Sequence, residues 1–140
     1  MSEDYPWLKK YPQGLDWHTP ITPKPLYCLL NEAAERWPEH LAIDFMGKEY
    51  TYARLKEMVD RVAEGLRQNG VGRETRVGIF MPNCPQFIMT YYAVLKCGGT
   101  VVNFNPLYSE REIEHQITDS GIDVMCTLNL RVLYPKLKPL

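Results

Sequence analysis

From residue 76 onward the apolar residues follow two alternating rhythms. "RVGIFM" (Arg76–Met81), "TVVNF" (Thr100–Phe104) and "DVMCTL" (Asp123–Leu128) are short, nearly continuous apolar runs. Between them, "PNCPQFIMTYYAVLKCGG" and "SEREIEHQITDSG" carry helical spacing and helical punctuation. The first helix starts near Asn83 and Pro85 and stops at Gly98-Gly99. The second has Ser109 and Glu112 placed as a capping box, an inward stripe of Ile113 and Ile117, and Gly121 at its end. Apolar strands separated by helices predict right-handed βαβ crossovers and a parallel sheet covered on both faces. The fold class is therefore α/β, a parallel βαβαβ sheet flanked by helices.

Upstream the rhythm differs. A helix is expected from about Pro25 to Trp37, with Leu26, Leu29, Leu30, Ala33 and Ala34 as its apolar stripe and Pro38 beyond its end. "LAIDFMGKEYTY" predicts a β-hairpin with its turn at Met46-Gly47-Lys48. Thr51 can cap the next helix, in which Leu55, Met58, Val59, Val62 and Leu66 recur at helical spacing before Asn69-Gly70 closes it. Residues 1–25 follow neither rhythm. Pro6, Pro12, Pro20, Pro23 and Pro25 rule out a long helix there, yet Tyr5, Trp7, Tyr11 and Trp17 are too apolar for a free tail. The expectation is an extended N-terminal arm over residues 1–25, its aromatics lying on its own domain or on a neighbour, and an α/β subdomain over residues 26–140. "NLRVLYPKLKPL" looks like the beginning of a further element, so a piece of a longer protein is expected.

Composition narrows the functions. The 140 residues suffice for one domain with a real core. Sixteen Lys and Arg against 17 Asp and Glu give a net charge of -1. That balance lacks the basic stripe of a nucleic-acid binder. No apolar run reaches membrane-span length, and "MSEDYPWLKK" lacks the apolar centre of a signal peptide, so a cytoplasmic protein is expected, with peripheral membrane contact left open. Cys28, Cys84, Cys97 and Cys126 have no CxxC spacing and read as reduced core thiols; no Cys/His cluster suits zinc.

Motifs of catalysis are sparse. "GVGRET" (Gly70–Thr75) follows a helix and opens a strand, the reverse of a dinucleotide loop, and "CGGT" does the same. There is no GxxxxGK[ST], and neither Ser109 nor Ser120 sits in a GxSxG elbow. His115 lies nearly opposite Ile113 and Ile117 on the helix wheel, which favours a surface position over a general base. Glu110, Glu112 and Glu114 read as favourable first-turn charges. The strands end in "MPNC", "NFNPLY" and "TLNLR", which gathers Asn83, Asn103, Asn105 and Asn129 near strand C-termini. Ligands of open α/β sheets bind at such ends, and asparagine also suits the turns found there.

"VVNFNPLYSEREIEHQITDSG" closely resembles the N-terminal part of bacterial long-chain fatty-acid–CoA ligases, members of the AMP-forming adenylating enzymes. "PWLKKYP" resembles their N-terminal arm, and "GKEYTYARLKEMVDRVAEGLRQNGVGRETRVGIFMPNCPQF" is similar to their hairpin, helix and "R-V-A-I-x-x-P-N" segment. Two departures stand out. Glu74-Thr75 replaces a frequent Gly-Asp, and Gly78 stands where Ala is common. The resemblance implies the N-terminal subdomain of an adenylate-forming enzyme. It also implies a two-step reaction of the full-length protein: ATP, with Mg2+, converts a fatty carboxylate to an acyl-adenylate and pyrophosphate, and CoA displaces AMP. The family's Ser/Thr/Gly-rich phosphate loop and C-terminal lysine do not occur here, so no catalytic residue is carried over and the chain alone is expected to be inactive. By the same resemblance Arg131 and Lys136 lie where basic residues approach the phosphate of CoA's nucleotide. Asn103, Asn105 and Tyr108 are candidates for lining a substrate crevice. A homodimer through the arm is a further open reading. Two alternatives stay open: a free-standing flavodoxin-like binding module, and another adenylating enzyme such as an aryl-CoA ligase.

Overall fold

Val77, Ile79 and Phe80 are fully buried, and the other elements are arranged around the strand that carries them. The computed structural model describes residues 5–138. The first four residues of the expected arm and the last two of the expected subdomain lie outside these. In chain order the elements are α1 (Tyr27–Arg36), β1 (Leu41–Phe45), β2 (Lys48–Thr51), α2 (Tyr52–Gln68), β3 (Arg76–Phe80), α3 (Pro85–Cys97), β4 (Thr100–Phe104), α4 (Glu110–Ser120), β5 (Val124–Thr127) and a single turn, α5 (Tyr134–Leu137). A short 3-10 turn, Pro6–Lys10, precedes them.

The three apolar runs form one parallel sheet in the order β4-β3-β5. Side chains of a strand alternate between faces. Val77 and Ile79 of β3 share one face with Val101 of β4 and with Val124 and Cys126 of β5, beneath Val94 of α3. Phe80 shares the other with Phe104 and Met125, beneath Ile113 of α4 and Leu133. Helices on opposite faces are what right-handed crossovers in opposite directions, from β3 to β4 and from β4 to β5, require. Among the described residues the outer strands β4 and β5 each pair on one side only.

A further layer lies behind α3. Met89 and Ala93 of α3 meet Leu55, Val59 and Ala63 of α2, with Leu30 of α1 and Tyr50 of β2 closing the cluster. Ala63 and Ala93 have no exposed surface, and two small residues let the helices approach closely. Burying each larger side chain here contributes about 1.5–3 kcal/mol. The interface also carries charge. Asp60 of α2 accepts hydrogen bonds from Lys56 at 2.8 Å and from Lys96 of α3. Partial burial pushes the Asp60 carboxyl up, but the two lysines outweigh it and hold it below the ordinary aspartate value.

Local signals act as expected at the element ends. The Thr51 hydroxyl accepts the Arg54 N–H at 3.2 Å, and Asn69 and Gly70 end α2. Ser109 and Glu112 form the complete capping box of α4. Three readings need correction. The hairpin turn has two residues, Met46 (φ 51°) and Gly47 (φ 77°), and Lys48 already pairs with Phe45 in the ladder. Both φ values are positive, the requirement of the tight turn that matches strand twist. The stripe of α1 is narrower than expected. Leu30 and Ala34 are buried, whereas Leu26 and Leu29 remain exposed because no element covers that side among the described residues. The arm is not extended throughout, since Pro6 opens a 3-10 turn and the aromatics stack on one another.

Both departures from the family's pattern fall on constrained positions. Thr75 N–H closes a turn onto the Gly72 carbonyl at 3.2 Å, and Glu74, third in that turn, has φ 73°. A side chain in this left-handed region costs roughly 1–2 kcal/mol, which a glycine avoids. A Cβ on Gly78 would lie 2.8 Å from Ile122 Cδ1, 2.9 Å from Met125 Sδ and 3.0 Å from Phe104 Cε2. Large neighbours on β4, β5 and the preceding turn have taken the space of a side chain there. Glu74→Gly is therefore expected to raise the unfolding free energy by about 0.5–1 kcal/mol, after allowance for the greater freedom of glycine in the unfolded chain. Gly78→Val is expected to lower it by about 1–3 kcal/mol through overpacking. Urea denaturation of the two variants against the parent checks both signs.

Candidate functional site

Phe80, Phe104 and Thr127 sit side by side in the ladder, so all three strands end at one rim. The turns beyond that rim carry Asn83, Asn105 and Asn129, all exposed. The rim has two halves. The chain runs from central β3 to β4 on one side and then crosses to β5 on the other. The topological switch point therefore lies between β3 and β5, where crevices form outside strand ends. Asn83, Asn129 and the exposed Arg131 belong to that half. Asn103, Asn105 and Tyr108 belong to the β4 half.

The β4 half is held by local hydrogen bonds. Asn103 is exposed, and its carbonyl accepts from Gln116 Nε2 of α4 at 2.9 Å. Asn105 Oδ1 accepts the Leu107 N–H at 3.0 Å, the side-chain turn that suits the Asn-Pro sequence. Its side chain is thereby occupied in shaping the entry to α4. Tyr108 is half-buried, and its carbonyl accepts a hydrogen bond from Lys136 Nζ at 2.6 Å. Lys136 and Tyr108, named separately from the sequence, are thus brought together, and the lysine is tied to the backbone. Arg131 forms no ion pair among the described residues.

Glu112 lies at the same corner. Its carboxylate accepts from Ser109 N–H at 2.8 Å and Ser109 Oγ at 2.7 Å. Those two bonds, aided by the charge of Lys136, hold the Glu112 carboxyl below the ordinary glutamate value. Tyr108, Arg111, Glu112, His115, Gln116 and Asp119 line an open groove of about 480 Å³ along α4. His115 is exposed, as the helix wheel indicates, with no serine or cysteine nucleophile beside it in that lining. Burial pushes the thiols of Cys97 and Cys126 up, which disfavours the reactive thiolate. No three His, Cys, Asp or Glu side chains converge as metal ligands among the described residues.

Two features were missed in the sequence. Ile43, Phe45, Cys84, Pro85, Phe87 and Ile88 line a mostly apolar groove of about 380 Å³ between β1 and α3. The alternation of Ile43 and Phe45 signalled an apolar face, but nothing signalled what it faced. The bridge from Lys96 to Asp60 joins residues 36 apart, and only its Lys56–Asp60 half has helical spacing.

The three-stranded parallel sheet and its flanking helices share the fold of part of solved N-terminal subdomains of adenylate-forming enzymes. The N-terminal domain of FACL13 from Mycobacterium tuberculosis superposes with a TM-score of 0.78, at 24% identity over 84% of this chain and 29% of that one. The NpsA N-terminal subdomain of Klebsiella oxytoca, in complex with anthranilyl-AMSN, gives 0.74 at 23% identity over 79% and 29%. The chain belongs to the AMP-binding enzyme family, whose family model matches residues 30–139. It is 40% identical over 136 residues to a long-chain-fatty-acid–CoA ligase of Bacillus subtilis, covering 97% of this chain and 24% of that protein. The corresponding ligase of Yersinia pestis is 39% identical over 117 residues, covering 82% and 21%. The chain thus spans about a quarter of the length of these relatives.

The corner geometry gives a pH expectation. A carboxyl held below its ordinary value adds stability that is complete above the unfolded value and is lost as pH falls through the folded one. Glu112 should therefore support α4 at neutral pH and release it only in acid below the ordinary glutamate range. Glu112→Gln is expected to lower the thermal midpoint at pH 7 and to narrow the gap to the parent as pH falls. Thermal melts of both proteins over that range check it.

Proposed function

We propose that this chain is the N-terminal part of an ATP-dependent ligase that joins a fatty acid to CoA. The supporting observation is the 40% identity to the Bacillus subtilis long-chain ligase, maintained over 136 residues. A carboxylate is a poor acyl donor because its oxide is a poor leaving group. Transfer of the adenylyl group from ATP releases pyrophosphate and makes AMP the leaving group. The CoA sulfur then attacks the acyl carbon, and AMP departs. Positioning and charge stabilisation provide most of the acceleration in such transfers.

Within that protein the residues described here serve mainly to hold a rim. β3 fixes the turn bearing Asn83, and β5 fixes the turn bearing Asn129 and Arg131. Arg131 is exposed and uncommitted, which suits the phosphate of CoA's nucleotide. Lys136 is the weaker choice, since its ammonium is already bonded to the Tyr108 carbonyl. Asn103, Asn105 and Tyr108 would contribute to a crevice chiefly through backbone that α4 and α5 hold still. The described residues offer no metal donor set, so Mg2+ would be held by other parts of the protein.

The test is acyl-CoA formation by the protein extended to the length of its relatives. Saturated fatty acids are expected to exceed benzoate-type acids in kcat/KM. The opposite ranking would identify an aryl-CoA ligase, and a failure of both to react would leave a binding module. In the active protein, Arg131→Glu is expected to raise the KM for CoA by about tenfold with little change in kcat, the size of one charge-assisted phosphate contact. An unchanged KM would remove Arg131 from the site.

A further inference from the structure

The chain that leaves β5 crosses the rim. β4 and β5 flank β3 on opposite sides. After β5 the chain makes a tight turn, in which the Leu133 and Tyr134 N–H groups both donate to the Leu130 carbonyl at 3.0 Å. Arg131 sits exposed in that turn. Leu133 then enters the cluster of Phe80, Phe104 and Ile113, on the face of the sheet beneath α4, and is 3% exposed. Within α5, Lys136 Nζ reaches the Tyr108 carbonyl at 2.6 Å in a partly buried bond. Tyr108 belongs to the turn between β4 and α4. A segment that begins at β5 is therefore tied down on the β4 half, across the end of β3.

We propose that Lys136 is a positioning residue for an anion site at Arg131, holding the Arg131 turn in place for the phosphate of CoA's nucleotide; this rests on the ligase reading, with Arg131 as the phosphate contact. A guanidinium is a rigid fork, so the freedom it loses on binding is that of its stem and of the backbone beneath it. That backbone is anchored beyond the turn by the Leu133 side chain and by the Lys136 bond. Apolar packing is non-directional and sets how deep the segment lies. A hydrogen bond to a carbonyl sets direction as well. The carbonyl is itself held still, because Ser109, the next residue, starts the capping box of α4. The Lys136 charge also favours the Glu112 carboxylate of that box. Lys136 thus joins the two halves of the rim, and the cation it presents is Arg131.

The test uses the protein extended to the length of its relatives and compares CoA with dephospho-CoA, which lacks the 3′-phosphate of the nucleotide. The parent's KM for dephospho-CoA should exceed that for CoA about tenfold, the size of one charge-assisted contact. In Arg131→Ala the two KM values should converge. In Lys136→Met their ratio should fall to about threefold, as for a contact misplaced and not removed, through the KM for CoA and not through kcat. Adding Lys136→Met to Arg131→Ala should change the ratio no further, because the lysine acts through the arginine. Lys136→Arg retains a donor for the carbonyl and should retain the parent's ratio. A ratio of KM values does not depend on the fraction of enzyme folded, so a less stable variant still gives a valid comparison. A parent-like ratio in Lys136→Met, with or without a loss of kcat on both thiols, overturns the proposal. So does a residual ratio in Arg131→Ala that Lys136→Met then removes, since the lysine would itself touch the phosphate. A parent that uses CoA and dephospho-CoA alike overturns the proposal and leaves the ligase reading standing. A parent that forms no acyl-CoA overturns both.

Discussion

Val77 and Ile79 project from one side of β3, Phe80 projects from the other, and none of the three meets water. A strand buried on both faces needs a helix on each. The two crossovers must therefore pass on opposite sides, with Val94 of α3 against one face and Ile113 of α4 against the other. The order β4-β3-β5 follows, and with it the switch point where the turns after β3 and β5 diverge. The candidate rim is a consequence of how one apolar strand is covered.

The layer behind α3 depends on the same constraint. Because α3 gives one side to the sheet, its other side, with Met89 and Ala93, must be covered by α2. Two alanines with no exposed surface let the helices approach closely, and the Lys96–Asp60 bridge joins them beside Val59 and Ala63. Partly buried pairs of this kind add modest stability, so the apolar contact dominates the interface.

Most of this architecture was legible because its signals are local. Gly98, Gly121, Thr51 and the Ser109–Glu112 box mark boundaries within a few residues of themselves, and strand ends followed from runs such as "TVVNF". Features set by distant partners were not legible. The exposure of Leu26 and Leu29 depends on what stands opposite α1, and the groove beside Phe45 depends on how the hairpin meets α3. The same division holds at the rim. That Asn83, Asn105 and Asn129 gather there could be read from strand ends. That Lys136 is spent on the Tyr108 carbonyl, while Arg131 forms no ion pair among the described residues, could not, because 28 residues separate Lys136 from Tyr108. Glu74 illustrates a third case, in which a departure from the family's pattern in sequence corresponds to a positive φ in the fold.

The two rims of the sheet that run parallel to its strands have a different consequence. Among the described residues β4 and β5 are bonded on their inner sides only, so each presents a row of backbone donors and acceptors outward. An unpaired rim is a template for another strand, whatever its sequence, and short length is its main protection here, at five and four residues. Handling of the isolated chain should therefore be governed by concentration: dilute preparations would keep three strands, and crowded ones would recruit neighbours edge to edge.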